Sequence, residues 1–219
     1  MKQQLNKRIR HLEMPKRLSH LPISSEGFPV PYFVPWVDGK PEFRGFDGEK
    51  LGICVRHKRC WLCGETLGKW LAFTVGPMCG VNRTSAEPPS HYDCSRYAVS
   101  ACPFLTQPRM RRNEADLPEH RGPAGFMIRR NPGVTLIWVT DNYKPFRDRG
   151  GVGVLFHIGE LERVEFYAEG RAAMRDEIMV SIDSGMPILR EMAELDGPEA
   201  IAELDEMYSK AMQTMGLAA

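Results

Sequence analysis

The chain has 219 residues, 42% of them hydrophobic and 26% charged, with a formal net charge of +1. That is the composition of an ordinary globular protein. It contains no run of about 18 apolar residues, which excludes a transmembrane helix. Its basic start, MKQQLNKRIRHLEMPKRLSH, lacks the apolar stretch of a secretory signal, so a cytoplasmic location with reduced thiols is the expectation.

Residues 1–20 form a basic segment, expected to be a poorly ordered arm or a short helix. From Pro22 to Pro41, prolines recur among aromatics in LPISSEGFPVPYFVPWVDGKPEF. Proline at that density excludes helix and central strand, leaving extended or edge structure. Asp38 and Gly39 between two apolar runs signal a two-residue hairpin turn. Residues 48–58 predict a short helix leading into the cysteines.

All six cysteines lie between Cys54 and Cys102. In a reducing compartment such clustering points to metal ligation or catalysis rather than to a disulfide scaffold. Cys60-Trp61-Leu62-Cys63-Gly64 has the spacing that turns two thiolates toward one point. Its glycine lets the chain leave the turn at positive φ. The second pair is His91 and Cys94, in PPSHYDC. Two prolines stop any earlier helix, Ser90 is a good N-cap, and Asp93 completes the pattern of a capping box. A helix starting at His91 puts His91 and Cys94 on one face, where its N-terminal dipole favours the Cys94 thiolate.

The order is therefore a knuckle, a hairpin within residues 64–87 that contains the apolar LAFTV, and two ligands from a helix start. This is the layout of a treble-clef zinc finger. It resembles the first finger of LIM domains, with a longer gap between the pairs. Zinc is the expected ion, and an iron–sulfur cluster held by four of the cysteines is the alternative. Cys79 and Cys102 admit several readings: buried small hydrophobes, a substitute for His91 in the ligand set, cluster ligands, or a redox thiol pair. Cys54 and His57, on the helix before the knuckle, read as structural.

Residues 106–133 make a basic linker that carries Arg109, Arg111, Arg112, Arg129 and Arg130. Beyond it, residues 135–139 (TLIWV), 152–158 (VGVLFHI) and 163–168 (RVEFYA) have the β-branched and aromatic content of strands. They predict an antiparallel meander. Three amphipathic helices are expected in the tail: 172–183 with Gly185 as its stop, 187–195, and a last one opened by Pro198. Their methionine-rich stripes are packing surfaces. The chain thus divides into a basic arm (1–20), a proline/aromatic segment with the metal core (21–105), the linker, and a meander with helical tail (134–219). The fold class is α+β. Residues 1–159 are strongly basic and residues 160–219 strongly acidic, which suggests either two halves that attract each other or a basic face for an anionic partner.

The segment CWLCGETLG…FTVGPMCGVNRTSAEPPSHYDCSRYA…ACPFL, with the later NPGVTLIWV, resembles a group of uncharacterised proteins encoded by bacteria and their phages. The resemblance covers most of the chain and implies no activity. A zinc-stapled, non-enzymatic protein that binds nucleic acid or acts as a regulator is the leading expectation. Basic clusters at Lys7, Arg8, Arg10, Lys16 and Arg17 and in the linker support it. Competing with it are an adaptor or inhibitor that captures a host protein through the acidic helices, an iron–sulfur redox protein, and an HNH-type nuclease. The nuclease chemistry needs a histidine base beside a metal-binding His or Asp pair. Here His91 is claimed by the zinc, and His120 and His157 lie far downstream. GGVG at 150–153 lacks the lysine and context of a phosphate-binding loop.

Overall fold

The computed structural model describes residues 4–108, 110–111, 131–147 and 153–218. The N-terminal segment is not a loose arm. Leu5, Ile9, Leu12, Met14 and Leu18 recur among its basic residues, and Ile9 and Leu18 are buried in the cluster that holds Cys60, Cys63 and Cys94. Among its described residues, a 3-10 turn, Lys16–Leu18, is the only regular element. The hairpin at Asp38-Gly39 forms as expected, joining β1 (Trp36–Val37) to β2 (Lys40–Pro41). Both turn residues have positive φ, as a type I′ turn requires. Helix α1 (Gly48–His57) starts where the Asp47 carboxylate accepts from the Glu49 and Lys50 N–H groups, and it stops at left-handed Lys58.

The expected hairpin within 64–87 is replaced by a strand and a helix. β3 (Leu71–Val75) is followed directly by α2 (Pro77–Asn82), because Pro77 at the first helical position is pre-set for helix. A short β4 (Thr84–Ser85) precedes the ligand helix α3 (Tyr92–Ala101). The N-cap of that helix is His91, one residue later than expected, and neither Ser90 nor Asp93 builds the capping box.

The expected meander also divides. β5 (Thr135–Thr140) is buried along its whole length and lies between β3 and β8 (Arg163–Ala168). The short β9 (Arg171–Ala172) completes this four-stranded antiparallel sheet. β7 (Val154–Ile158) instead joins a second sheet, in the order β4-β7-β6. Val152, the expected first residue of that strand, lies outside the described residues. The longest strand missing from the sequence reading is β6 (Tyr143–Arg147), hidden by Pro145. Proline is tolerated there because β6 is an edge strand, mostly exposed.

Arg83 joins the two sheets. Its guanidinium lies 4.6 Å from the centre of the Trp138 ring on β5 and donates to the carbonyls of Ile158, at 3.0 and 3.1 Å, and Gly159. Trp138 Nε1 donates to the same Gly159 carbonyl at 3.1 Å. A Cβ at Gly159 would collide with the Asn142 carbonyl and Thr140 Oγ1, so only glycine lets the strands cross there. Arg83→Met should strip the buried Ile158 carbonyl of its guanidinium donor, leave Gly159 with Trp138 alone, and cost about 2 kcal/mol. An unchanged urea midpoint would remove Arg83 from this role.

In the tail, the two expected helices 172–183 and 187–195 are one, α4 (Arg175–Asp196), and the last is α5 (Pro198–Thr214). Gly185 is not a stop. A Cβ there would lie 2.7 Å from Met78 Cγ and Sδ, so the glycine serves the close approach of α4 to α2. Pro187 forfeits one helical hydrogen bond, which a helix braced along its length tolerates. The C-terminal helices and the four-stranded sheet close the largest core, around Phe73, Met78, Leu136, Trp138, Ile182 and Leu204. Among the described residues, no helix is long and apolar enough to cross a membrane.

Candidate metal centre

Cys60 and Cys63 sit on the turn of a small hairpin. The Cys60 N–H donates to the Glu65 carbonyl and the Gly64 N–H to the Cys60 carbonyl, both at 2.8 Å. Below the turn, Arg59 pairs with Thr66, and the Leu67 N–H reaches the Lys58 carbonyl at 2.8 Å. Gly64 has φ of +77°, and its bare Cα faces the Tyr32 ring. The proline/aromatic segment wraps the outside: Phe33 stacks on Trp61 with ring centres 4.8 Å apart, and the Tyr32 N–H donates to the Leu62 carbonyl. The second ligand pair comes from the start of α3. It is aligned on the hairpin by β3, whose Ala72 pairs with Ser90, and by the Trp61 N–H, which donates to the Pro89 carbonyl.

These contacts bring Cys60, Cys63, His91 and Cys94 together. Their ligand atoms all lie within 4.8 Å of one another, and all four residues are buried. A group so arranged could hold a metal ion. His91 presents Nδ1 to the group, 3.3 Å from Cys63 Sγ and 3.9 Å from Cys94 Sγ. Its Nε2 is 3.0 Å from the Thr66 carbonyl, an acceptor that favours Nε2–H and so leaves Nδ1 to ligate once the ring is neutral. Cys60 Sγ accepts from the backbone N–H groups of Cys63 at 3.4 Å and His91 at 3.3 Å.

Burial works against ionising Cys60. Hydrogen bonds from Cys63, Cys94 and His91 outweigh it and hold this sulfur far below the usual thiol range. Cys94, hydrogen-bonded to Cys60 and Cys63 and buried beside them, is held far above that range. Burial also pushes the His91 imidazolium down, but its bonds to Cys60 and Cys63 and the charge on Cys60 lift it to about 10. Thiolates and neutral imidazole are the ligating forms, so protons shared within the group leave when it is filled.

The other cysteines stand apart. Neither Cys79 nor Cys102 joins the group, which corrects the idea that one of them replaces His91. Cys79 is carried on α2, where burial and then Glu87 push its thiol up to about 11. Cys102 caps the far end of α3, about 12 Å along the axis from Cys94 at 1.5 Å per residue. Burial raises its thiol too. Cys54 is buried on α1, and burial with the nearby charges of Cys60 and Cys63 raises it to about 12. All three have the character of packed thiols. His157 is exposed on β7 and outside the ligand group.

Compared with known proteins, the chain matches no family model, no curated protein and no solved structure. The metal group itself therefore carries the functional argument. Around it lie residues that spacing did not reveal. Arg17 from the N-terminal segment places Nε 2.9 Å from Asp93 Oδ2 and one Nη 3.2 Å from His91 Nε2. The sequence marks Arg17 only as one of the N-terminal basic cluster, and nothing in it marks the Thr66 carbonyl. Of the arginines proposed for nucleic acid, Arg111 is exposed. Arg109, Arg112, Arg129 and Arg130 lie outside the described residues, as does His120.

Proposed function

We propose that this chain is a zinc-stapled, non-enzymatic binding protein of a reducing compartment, with nucleic acid as its partner. The observation that carries the reading is the closed ligand group: three thiols and one imidazole, all buried, leaving no protein-free position for a substrate. Structural zinc sites are closed in this way, whereas catalytic ones keep one position open. Sulfur-rich tetrahedral donor sets favour zinc. With a Zn–S bond of about 2.3 Å, tetrahedral ligand atoms lie about 3.8 Å apart, in keeping with a group confined within 4.8 Å. A cluster inserts several atoms between its ligating sulfurs and spreads them further. The remoteness of Cys102 from Cys94 also weakens the cluster reading.

The treble-clef description suits the order of elements: knuckle hairpin, β3 bridged to Ser90, then ligands from the first turn of α3. Among the described residues, no second histidine joins the ligand group to serve as the base of an HNH nuclease. An adaptor that captures a host protein, in keeping with the phage-type motif, draws on one observation: Met174, Val180 and Leu195 of the α4 segment are exposed.

Metal analysis and a visible spectrum of protein purified without oxygen test the metal assignment. A colourless protein with about one zinc per chain is expected. Iron with sulfide and a brown colour would replace zinc by a cluster. For the partner, Arg111→Ala with Arg112→Ala should weaken binding to all duplex sequences alike. It should also lower the slope of log affinity against log salt by about one to two units, at ~0.9 per phosphate. Absence of any DNA or RNA binding at low salt would end the nucleic-acid reading and promote the adaptor.

A further inference from the structure

The base of the knuckle hairpin carries a feature that the metal centre does not use. Helix α1 ends in Arg56-His57-Lys58, all exposed, and Arg59 opens the hairpin. The Lys58 carbonyl accepts from the Leu67 N–H at 2.8 Å, so the two arms are side by side at that point. Two and three residues beyond Leu67 come Lys69 and Trp70, within about 10 Å of chain. Lys69 is exposed, and Trp70 is 42% exposed. The Lys69 ammonium lies over the Trp70 ring, 4.4 Å from its centre.

Lys69 rests on the Trp70 ring, but none of these cations is spent on a carboxylate. Among the described residues, Arg56, Lys58 and Lys69 have no acidic partner within salt-bridge distance, whereas Glu65 at the hairpin turn is engaged by Arg17 at 3.5 Å. Arg59 turns inward, 3.5 Å from the Gly64 carbonyl. A large indole left in water beside unpaired cations is the combination that single-stranded nucleic acid uses: cations follow the phosphates, and a base lies on the aromatic face. A duplex keeps its bases stacked inside and offers nothing to that face. The zinc-held turn would keep both arms of the hairpin rigid, so the platform exists before the strand arrives.

Resting on the nucleic-acid reading above, we propose that this rim binds single-stranded nucleic acid. Arg56, Lys58 and Lys69 contact phosphates, and Trp70 stacks on a base. The test is fluorescence anisotropy with a labelled oligo(dT) of about 20 nucleotides and a duplex of equal length, across a salt series. Trp70→Ala should bind oligo(dT) about 10-fold more weakly with an unchanged salt slope, because stacking releases no counterions. Trp70→Phe should recover most of the affinity. Arg56→Ala with Lys58→Ala and Lys69→Ala should lower the slope by about two units, at ~0.7 per single-strand phosphate. Zinc content and thermal melts like wild type confirm the fold of each variant, and Trp70→Phe tests stacking should Trp70→Ala fail to fold. If wild type binds but these variants match it, or Trp70→Phe binds no better than Trp70→Ala, the rim is overturned while the broader reading stands. If wild type binds neither oligo(dT) nor duplex at low salt, both fall.

Discussion

With zinc held as proposed by the four-residue group, Cys60→Ser should lose the metal and unfold the knuckle together with α3. The Cys60 sulfur is fully buried and accepts two backbone N–H groups, from opposite ligand pairs. Serine keeps an acceptor but is a poor zinc ligand, and it leaves three desolvated ligands without the ion that reconciles them. Structural zinc contributes on the order of 10 kcal/mol at small sites, as much as the whole stability of a typical domain. The hydrophobic cluster around the site cannot make up that loss, since Cys60, Cys63 and Cys94 are themselves part of it beside Ile9, Leu18, Leu67, Leu71 and Tyr97. Cys54→Ala, by contrast, removes a buried sulfur that ligates nothing. It should keep full metal content and cost about 1 kcal/mol. Metal stoichiometry with circular dichroism, before and after chelator, separates the two. Equal zinc retention in Cys60→Ser and wild type would sink the four-ligand assignment.

The ligand set was legible in the sequence because metal geometry imposes short, recognisable spacings. Two residues between Cys60 and Cys63, and two between His91 and Cys94, are what a knuckle and a first helical turn require. Local signals were legible for the same reason: the Asp38-Gly39 turn, the short helix α1, and Pro198 opening α5 each depend on a few adjacent residues. What stayed hidden depends on distant partners. Residues 154–158 look like a meander strand, but Arg83 and Gly159 direct them into a second sheet. Gly185 has the form of a helix stop until Met78 is seen against it. The basic N-terminal segment suggests an arm because charge dominates its composition, yet the few apolar side chains at Ile9 and Leu18 are enough to dock it. Arg17 reaches His91 and Asp93 across more than 70 residues of chain, a distance over which no spacing rule operates.

A chain ending at Ala173, without α4 and α5, is expected to be insoluble or molten rather than a stable fragment. The two helices are not an appendage to the basic part of the chain. Ile178, Ile182, Leu204, Met212, Met215 and Leu217 are buried in the same core as Phe73, Leu136 and Trp138. Each large apolar side chain contributes about 1.5–3 kcal/mol on burial, so losing six removes roughly 10 kcal/mol or more, comparable to the total stability of a domain. A polar tie goes as well: Ser181 Oγ donates to the Pro132 carbonyl at 2.6 Å. The damage should reach the metal centre, because α2 lies in the chain between the two ligand pairs and is the element these helices cover. Gly80 and Gly185 make that contact close, with Met215 and Met78 filling the spaces they leave. Zinc affinity should therefore fall in the truncated chain although every ligand is retained. Removing the acidic helices also leaves a strongly basic remainder, so any soluble fraction should bind polyanions without selectivity. Limited proteolysis of the full-length chain gives the complementary reading. Resistance through residues 175–214 is expected, and early cleavage there that leaves a soluble, fully metallated N-terminal fragment with a sharp melt would show that the helices are a separate module.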